Sequence, residues 1–377
     1  MDFALTEEQE LLKNSAREFL EKECPKTLVR EMEEDEKGYS PELWKKMAEL
    51  GWMGLVFPEK YGGSGLDFQD LIILIEEMGR ALVPGPFLST VVYCGLPIVE
   101  AGTEEQKQEF VSKIVQGNMI LSLALTEPSA SYDADGVTVK AVARGDDYVI
   151  DGTKLFISDA HIADYLLCAA RTKDGATKED GITLFLVDAR SSGISCTQLK
   201  TVGCDRQFEV VFDGVKVSKD NILGTLDQGW EIVEKIKDQA AIALCALMVG
   251  GAQQVLDMTV VYAKERVQFD KAIGSFQSIQ HKCANMVTDV DGARYITYLA
   301  AWKIGQGTGQ AAEVSMAKAW TSEAARRVCA EGHQVHGGIA FTKDHDLGLY
   351  LRRAKAAELN FGEARYHREL VVSKLGL

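Results

Sequence analysis

The hydrophobic residues of this chain change their spacing twice, and this change limits the folds that the chain can adopt. Helical spacing runs over residues 1 to about 120, alternation with a period of two runs from about 121 to 227, and helical spacing returns from about 228 onward. Because helices and strands occupy separate regions, a doubly wound α/β fold is disfavoured. We predict an α+β protein with a helical N-terminal domain (1–120), a central antiparallel β domain (121–227) and a C-terminal helical bundle (228–377).

The N-terminal region carries an amphipathic stripe and a helix start. Apolar residues at helical spacing, with charged residues between them, are Leu11, Leu12, Ala16, Phe19 and Leu20. Ser40 is suited to cap the free amides of a helix, and Pro41 is tolerated at the first helical position because its missing N–H has no partner there. We predict that a helix begins at this pair.

The central region shows the alternation of half-buried strands. Val139 and Ala141 alternate with polar neighbours, and residues 145–147 (Gly-Asp-Asp) mark a turn. Apolar runs at 182–187 and 208–212 predict further strands. The connections are short, which favours an antiparallel barrel or sandwich over parallel strands joined by helices.

The C-terminal region contains a helix that is apolar on most of its faces. Residues 240–258 are nearly all apolar, which predicts a buried helix. Gly250 and Gly251 interrupt this run, although each glycine in a helix costs about 1 kcal/mol relative to alanine. We expect the compensating gain to be the close approach of a neighbouring helix or subunit.

Composition excludes several classes of partner and site. The formal net charge of −15 argues against nucleic acid and anionic membranes, because both are polyanions. The eight cysteines include no Cys-x-x-Cys pair, so we expect free thiols in a reducing cytoplasm. The six histidines lack a metal-ligand spacing, and we predict no metal site. No stretch of eighteen or more apolar residues appears and the start has no basic-then-apolar pattern, so we expect neither a membrane span nor a secretory signal.

Five short motifs follow one another along the chain. They are residues 125–128 (Leu-Thr-Glu-Pro), 156–158 (Phe-Ile-Ser), 266–269 (Arg-Val-Gln-Phe) with the Phe-Gln pair at 276–277, 334–338 (Gln-Val-His-Gly-Gly) and 360–363 (Asn-Phe-Gly-Glu). In this order and spacing, over essentially the whole chain, they resemble the acyl-CoA dehydrogenase family. The resemblance implies flavin adenine dinucleotide (FAD) as cofactor and a C-terminal four-helix bundle.

The resemblance assigns two of the motifs to the flavin ring. Leu125 and Thr126 would lie at its polar edge, where threonine offers a backbone amide and a hydroxyl. Phe156 would lie against the isoalloxazine, and the Ser158 hydroxyl would donate to flavin N5, where hydride arrives.

Two more motifs are assigned to the rest of the dinucleotide. Arg266 would meet the pyrophosphate as a charged donor, together with Phe269 and Gln277. Gln334, Gly337 and Gly338 would complete the cofactor site, with glycine permitting close backbone approach. In the family these residues reach a flavin held mostly by the neighbouring subunit, so the resemblance implies an oligomer, a homotetramer or a heterotetramer.

The resemblance breaks at the catalytic base. Family members usually carry a glutamate that removes the α-proton of the acyl-CoA, and its place here is Phe361. In some branches the glutamate lies in an earlier helix, at the position of Ala240, followed by an arginine at the position of Ala241. Both base positions are therefore apolar. Glu363 stands where the family has a threonine that contacts the cofactor.

Another branch of the family acts on alicyclic acyl-CoAs and carries an aspartate in the segment that matches residues 87–93. This segment holds no acid here, but Ser89, Thr90 and Tyr93 would line the substrate pocket, with Phe361 facing the acyl group. Titratable groups near the site by resemblance are Asp238, Glu358, Glu363, His336 and Tyr366. None of them is singled out, so the base stays unassigned.

Three hypotheses account for this pattern. In the first, the chain is an FAD-dependent enzyme that dehydrogenates an acyl-CoA thioester with a cyclic or otherwise unusual acyl group and passes electrons to an electron-transferring flavoprotein. In the second, it is the non-catalytic partner of a sister subunit that carries the base. In the third, it is a flavin-bound protein of another activity, such as elimination without net oxidation.

Overall fold

The computed structural model describes residues 4–307 and 312–376 of the chain. Its α-helices are α1 (Glu7–Glu23), α2 (Lys26–Glu34), α3 (Pro41–Glu49), α4 (Phe68–Ala81), α5 (Leu96–Ala101), α6 (Glu104–Gln106), α7 (Ser112–Val115), α8 (Trp230–Glu265), α9 (Gln277–Gly305), α10 (Ala312–His336), α11 (Leu347–Leu359) and α12 (Ala364–Lys374). Its strands are β1 (Leu121–Ala124), β2 (Lys140–Arg144), β3 (Asp147–Ser158), β4 (Tyr165–Arg171), β5 (Ile182–Asp188), β6 (Ile194–Leu199), β7 (Gln207–Ser218), β8 (Ile222–Leu223), β9 (Val267–Gln268) and β10 (Lys271–Ala272). The predicted order of helices, then strands, then helices is confirmed.

Side-chain caps set the starts of the N-terminal helices. The Ser40 hydroxyl accepts a hydrogen bond from the backbone N–H of Leu43, and Pro41 is the first residue of α3, as predicted. In α1, Ala16 and Leu20 are buried, but the Leu11 side chain is 70% exposed. The apolar stripe of α1 is therefore narrower than predicted.

The central strands form one mixed sheet in the order β6-β7-β3-β2-β4-β5-β8, and β1 pairs with β4. The turn at residues 145–147 is confirmed, because Arg144 of β2 pairs with Asp147 of β3 in an antiparallel hairpin. The prediction of an antiparallel domain is correct for most pairs, but β1 and β2 each run parallel to β4. Apolar side chains from these strands form a buried core that includes Ile150, Phe185 and Val210.

By its internal contacts the chain divides into two compact units. The first, here called the helical unit, comprises Met1–Glu31, Asp67–Val83 and Ala241–Leu377. The second, here called the sheet unit, comprises Met32–Leu66 and Pro84–Ala240. The residues predicted to contact the flavin ring and the acyl group fall mostly in the sheet unit, and those predicted for the dinucleotide fall in the helical unit.

Within the helical unit, α4 and α8 approach each other at the backbone. A Cβ atom added to Gly250 would lie 1.8 Å from the Glu76 carbonyl oxygen, and one added to Gly79 would lie 2.2 Å from the Leu247 carbonyl oxygen. No side chain fits at such distances without displacing backbone atoms. The expected close approach at Gly250 is thus confirmed, and the neighbour is a helix of the same chain.

A buried carboxylate joins three elements of the helical unit. Glu76 of α4 accepts hydrogen bonds from Lys13 Nζ (2.9 Å), Arg294 Nε (3.1 Å) and Tyr298 Oη (2.8 Å). Burial alone would raise the pKa of Glu76, but the charges of Arg294 and Lys13 outweigh it, so the pKa lies below its ordinary value. The carboxylate therefore stays charged and ties α1 and α9 to α4.

Helix α8 is long and apolar enough to cross a membrane by length and composition alone. However, 67% of its most apolar window is buried inside the protein. A helix in the core of a folded domain meets the same criterion, so this helix is weak evidence for a membrane span.

Candidate functional site

In the sheet unit, a buried ion pair holds together two segments predicted to contact the flavin ring. Lys154 of β3 donates from Nζ to the Glu127 carboxylate (2.7 Å) and to the Leu125 carbonyl oxygen (3.1 Å). The Leu155 N–H then donates to the Thr126 carbonyl oxygen (2.8 Å). The turn after β1 is therefore fixed against the end of β3.

Glu127 is held as a carboxylate by several donors. Besides Lys154, it accepts hydrogen bonds from the Thr138 hydroxyl (2.5 Å) and from the backbone N–H of Val139 (3.1 Å). Burial raises the pKa of a carboxyl, but the Lys154 charge and these hydrogen bonds outweigh it and bring the pKa of Glu127 below its ordinary value. Sequence reasoning missed this pair, because the partners are distant in the chain and each reads as an ordinary charge.

At the end of β3, Ser158 has a hydroxyl hydrogen available for a ligand. Its Oγ accepts a hydrogen bond from Gln207 Nε2 (3.1 Å), so its own O–H is left to donate. Gln207 Oε1 is buried and has no hydrogen-bond partner among residues 4–307 and 312–376. Phe156, two residues earlier, is 49% exposed and has a left-handed backbone with φ of 57°. A bulky residue rarely adopts this conformation, and such outliers cluster at functional sites.

Three of the four residues predicted for the substrate pocket, Ser89, Thr90 and Tyr93, lie on one π-helical segment, Leu88–Gly95, and all three are buried. The fourth, Phe361, lies in the helical unit. The Thr90 hydroxyl bonds to both the backbone N–H (3.2 Å) and the carbonyl oxygen (3.3 Å) of Leu121, so it anchors the segment to β1. Burial, and to a lesser degree Asp159, raise the pKa of Tyr93 far above its ordinary value. Its phenol is therefore neutral and can donate a hydrogen bond.

Asp159 brings a carboxylate to this segment, and sequence reasoning missed it. Its Oδ2 lies 2.7 Å from Ser89 Oγ. The only signal in the sequence was its position directly after the 156–158 motif. The segment 87–93 holds no acid of its own, but the fold supplies one from the end of β3.

In the helical unit, the residues predicted for the pyrophosphate lie at the end of α8 and in the hairpin that follows it. Arg266 is exposed, and its carbonyl oxygen accepts a hydrogen bond from the Ile273 N–H (2.8 Å). Phe269, at the tip of the β9–β10 hairpin, is 86% exposed and has a left-handed backbone with φ of 52°. Its ring contacts Phe276 edge to face at a centroid distance of 6.0 Å, next to Gln277, which is exposed at the start of α9.

The 334–338 motif ends α10. Gln334 and Gly338 are exposed, and Gly337 has φ of 68°. A Cβ atom at Gly337 or Gly338 would meet no other atom within 4 Å, so the backbone is open to a ligand. His336 is buried, and its Nδ1 lies 2.8 Å from the Gly332 carbonyl oxygen. Burial lowers the pKa of His336, so its role here is structural.

Phe361 lies in a backbone segment, residues 357–362, that a buried lysine holds in place. Lys318 Nζ donates to the carbonyl oxygens of Ala357 (3.0 Å), Glu358 (2.8 Å) and Gly362 (3.0 Å). A ring nitrogen of His367 lies 2.9 Å from the Phe361 carbonyl oxygen. Phe361 itself has φ of 56°. Burial lowers the pKa of Lys318 to about 8, so at neutral pH it is still an ammonium with three donors for three carbonyls.

The apolar base position in α8 and the remaining titratable groups named by the resemblance differ in burial. Ala240 and Ala241 are buried in α8. Glu358 forms an ion pair with Lys355 (3.1 Å), and Glu363 is exposed just before α12. Asp238 and Tyr366 are partly buried. Among the residues that the structure describes, no group of His, Cys, Asp or Glu side chains could hold a metal ion.

Family models match the chain over most of its length. They describe the N-terminal domain (residues 6–118), the middle domain (residues 122–215) and the C-terminal domain (residues 227–376) of acyl-CoA dehydrogenase. The chain belongs to the acyl-CoA dehydrogenase family. Members of this family are FAD-dependent enzymes that act on acyl-CoA.

Individual members share its full length. A 3-(aryl)acrylate reductase of Clostridium sporogenes is 34% identical, with 98% of this chain and 99% of the relative covered. The caffeyl-CoA reductase–Etf complex subunit CarC of Acetobacterium woodii is 33% identical, with 98% of both chains covered. The solved butyryl-CoA dehydrogenase from Megasphaera elsdenii is 32% identical and superposes with a TM-score of 0.93 over 100% of both chains.

The residues present fit an acyl-CoA dehydrogenase flavin. Among the residues that the structure describes, the Ser158 O–H has no acceptor, the buried Gln207 Oε1 has no donor, and the backbone at Gly337 is open. Bound flavin supplies the acceptor for a hydride from the acyl chain. By the resemblance, Ser158 and Thr126 would bind and orient the ring, and Arg266 would neutralise the pyrophosphate of a flavin.

Proposed function

We propose that this protein dehydrogenates an acyl-CoA thioester whose acyl group is cyclic or otherwise bulky, with FAD as hydride acceptor. The observation that carries the proposal is the contrast between the two parts of the site. The residues expected at the flavin keep the donors that a flavin needs, whereas Phe361 stands where the α-carbon base is expected. A phenyl ring cannot accept a proton.

The missing base bears on the choice of substrate. General-base catalysis contributes roughly 10²–10⁴ in rate. A straight-chain acyl-CoA, which loses its α-proton to the expected glutamate, would lose this contribution. The aromatic side chain in its place favours a substrate with more apolar surface and with another carbon as the proton donor.

Partners follow from the same proposal. One relative is a subunit of a complex of caffeyl-CoA reductase with Etf, and we propose that this chain likewise exchanges electrons with an electron-transferring flavoprotein. Exposed Phe269 and Arg266 support a further subunit over the dinucleotide, and we propose a homotetramer or heterotetramer located in the cytoplasm.

The same site could carry electrons in either direction, from the acyl-CoA to the flavin or from the flavin to an unsaturated acyl-CoA. Two of the three relatives described above are named as reductases, and the third is named as a dehydrogenase. A group that takes a proton in dehydrogenation returns it in reduction, so reduction of an unsaturated acyl-CoA is the second candidate. The redox partner decides between them.

The alternative role is that of a non-catalytic partner subunit. The apolar side chains at both base positions favour it, because a sister subunit could then carry the glutamate. In that case the residues at the flavin would complete a site in the sister chain. The third hypothesis is elimination without net oxidation. This reaction would leave the flavin oxidised, so flavin absorbance would not change.

Anaerobic flavin bleaching tests the proposal. The purified protein is expected to be yellow, with about one flavin per chain or per pair of chains. Cyclohexanecarboxyl-CoA should bleach it, and butyryl-CoA should bleach it at least about a hundredfold more slowly. Bleaching only after co-expression of a sister chain would support the partner-subunit role. Rapid bleaching by butyryl-CoA alone would contradict the proposed substrate class, and a protein that binds no FAD would contradict the enzyme role.

A further inference from the structure

The strongest unassigned feature of the sheet unit is the carboxylate of Asp159 beside the π-helical segment Leu88–Gly95. We propose that Asp159 exchanges a proton with the acyl chain and that Ser89 positions it. This inference rests on the proposed function, since it names the group that replaces the missing glutamate.

The contact between Ser89 and Asp159 can hold a proton in two ways. Ser89 Oγ lies 2.7 Å from Asp159 Oδ2 and 3.1 Å from the Pro86 carbonyl oxygen. A hydroxyl has one hydrogen, so it can serve only one of these acceptors at a time. With Asp159 ionised, Ser89 donates to the carboxylate. With Asp159 protonated, the carboxyl donates to Ser89 Oγ, and the Ser89 hydrogen turns to Pro86.

Both protonation states are therefore satisfied without moving the backbone. Within the contact with Ser89, the change of state needs only the rotation of the Ser89 hydroxyl. This is the property required of a group that takes up and returns a proton in each catalytic cycle.

The backbone holds Asp159 in place. Its N–H donates to the Arg206 carbonyl oxygen (2.9 Å), and its carbonyl oxygen accepts from the Ile162 N–H (3.2 Å). Its φ of 60° is left-handed, a conformation that aspartate tolerates better than bulky residues do. Because this residue follows β3 directly, the left-handed turn breaks the alternation of the strand and re-aims the carboxylate.

Neighbouring side chains connect Asp159 to the rest of the site. It follows Ser158, the residue assigned to flavin N5, and Ser158 is bonded to Gln207, which follows Arg206 in the chain. Tyr93, buried on the same π-helical segment as Ser89, carries a neutral phenol. Asp159 as a residue is partly exposed.

The proposed step balances in atoms and electrons. A C–H bond of the acyl chain breaks, its proton passes to Asp159 and forms an O–H bond, and the electron pair left on carbon becomes the second bond of the new C=C. Bound oxidised flavin would supply the acceptor for the hydrogen on the neighbouring carbon, which leaves with its electron pair. The acyl chain thus loses two electrons, and Asp159 later releases its proton to water.

The test compares Asp159→Asn with Asp213→Asn, a matched change of an exposed aspartate on β7 of the same unit. Each FAD-loaded variant is mixed anaerobically with cyclohexanecarboxyl-CoA in deuterated water. Nuclear magnetic resonance follows the exchange of acyl C–H hydrogens, and absorbance follows bleaching. Flavin content and melting temperature establish that each variant is folded.

We expect Asp159→Asn to slow both exchange and bleaching by about 10²–10⁴ with flavin content unchanged, whereas Asp213→Asn behaves as wild type. Ser89→Ala should lower kcat by about tenfold and leave KM unchanged, because it positions the carboxylate without touching the thioester. Formate added to Asp159→Ala should restore part of the exchange, which serves as a second measurement if Asp159→Asn is unstable.

The outcomes separate this inference from the function on which it rests. If wild type bleaches and Asp159→Asn bleaches and exchanges equally fast, Asp159 is not the proton-transferring group, and the proposed function stands. If wild type neither bleaches nor exchanges with cyclohexanecarboxyl-CoA or butyryl-CoA, both the proposed function and the role of Asp159 are overturned.

Discussion

Lys154 and Glu127 form a buried ion pair of 2.7 Å whose ammonium also holds the Leu125 carbonyl oxygen. One lysine therefore sets the distance between the turn after β1 and the end of β3. These are the two segments on which the flavin ring is expected to lie. We therefore expect the pair to support cofactor binding and to take no part in proton transfer.

Lys154→Met is expected to destabilise the protein by about 3–5 kcal/mol, because it leaves the buried Glu127 carboxylate without its counter-ion. Flavin affinity should fall as well, since the Leu125 carbonyl loses its donor. Chemical denaturation and flavin titration measure the two effects. Lys219→Met, which removes an exposed ion pair with Asp146 in the same unit, should change stability by less than about 1 kcal/mol. Equal effects of the two substitutions would show that burial of the pair is unimportant.

Arg266→Ala is expected to release flavin more readily than Phe361→Ala does. Arg266 is assigned to the pyrophosphate, and its exposed side chain has no competing partner among the described residues. Phe361 is assigned to the acyl pocket, so its removal should change substrate range more than cofactor affinity. Equilibrium dialysis of FAD measures the difference. Equal flavin retention in both variants would mean that the assignment of the 266–269 motif is wrong.

Phe361→Glu is expected to raise the rate of flavin bleaching by butyryl-CoA, because it restores a carboxylate where the family has its base. Rapid-mixing absorbance with butyryl-CoA measures the gain, and Phe361→Gln, which has a similar shape but no basic group, is the control. The two variants should retain equal amounts of flavin. A gain in Phe361→Gln equal to that in Phe361→Glu would indicate relief of crowding and not a new base.

Lys318→Met is expected to change how stability depends on pH. The pKa of Lys318 in the folded protein, about 8, lies below the value of about 10.4 expected in the unfolded chain. At a pH between these two values, unfolding therefore takes up a proton. The free energy of unfolding of wild type, relative to Lys318→Met, should therefore rise with pH through this window by on the order of 3 kcal/mol. Denaturation at pH 7, 9 and about 10.5 measures it. Lys113→Met, which removes a lysine from an exposed helix face of the other unit, is the control.

The sequence predicted those features that depend on local spacing. The start of α3 at Ser40, the hairpin at residues 145–147 and the buried α8 all follow from caps, turn residues or period. The tight contact at Gly250 was also predictable, because a helical glycine is unfavourable without a packing reason. Leu11 shows the limit of this reasoning, since spacing gives the centre of an apolar stripe better than its edge.

Features that depend on long-range pairing were not predictable. The parallel pairing of β1 with β4 joins Leu121 to Tyr165, and no local sequence pattern indicates that these two residues pair. The same is true of Ser89 with Asp159 and of Lys318 with Gly362. In each case a short polar contact depends on how the chain folds back on itself, which no local pattern records. The assignments of individual residues to the flavin stay predictions.

The backbone contact between α4 and α8 at Gly250 also has a consequence for how the chain folds. The two helices lie far apart in the sequence, so their docking must close a long loop. The entropy cost of closing this loop comes before the gain from burying apolar surface between the helices. Because the Gly250 position tolerates no intermediate spacing, the helices meet closely or not at all. We therefore expect this docking to be a late and cooperative event, and a Gly250→Ala chain to accumulate as a collapsed species whose helices are formed but not joined.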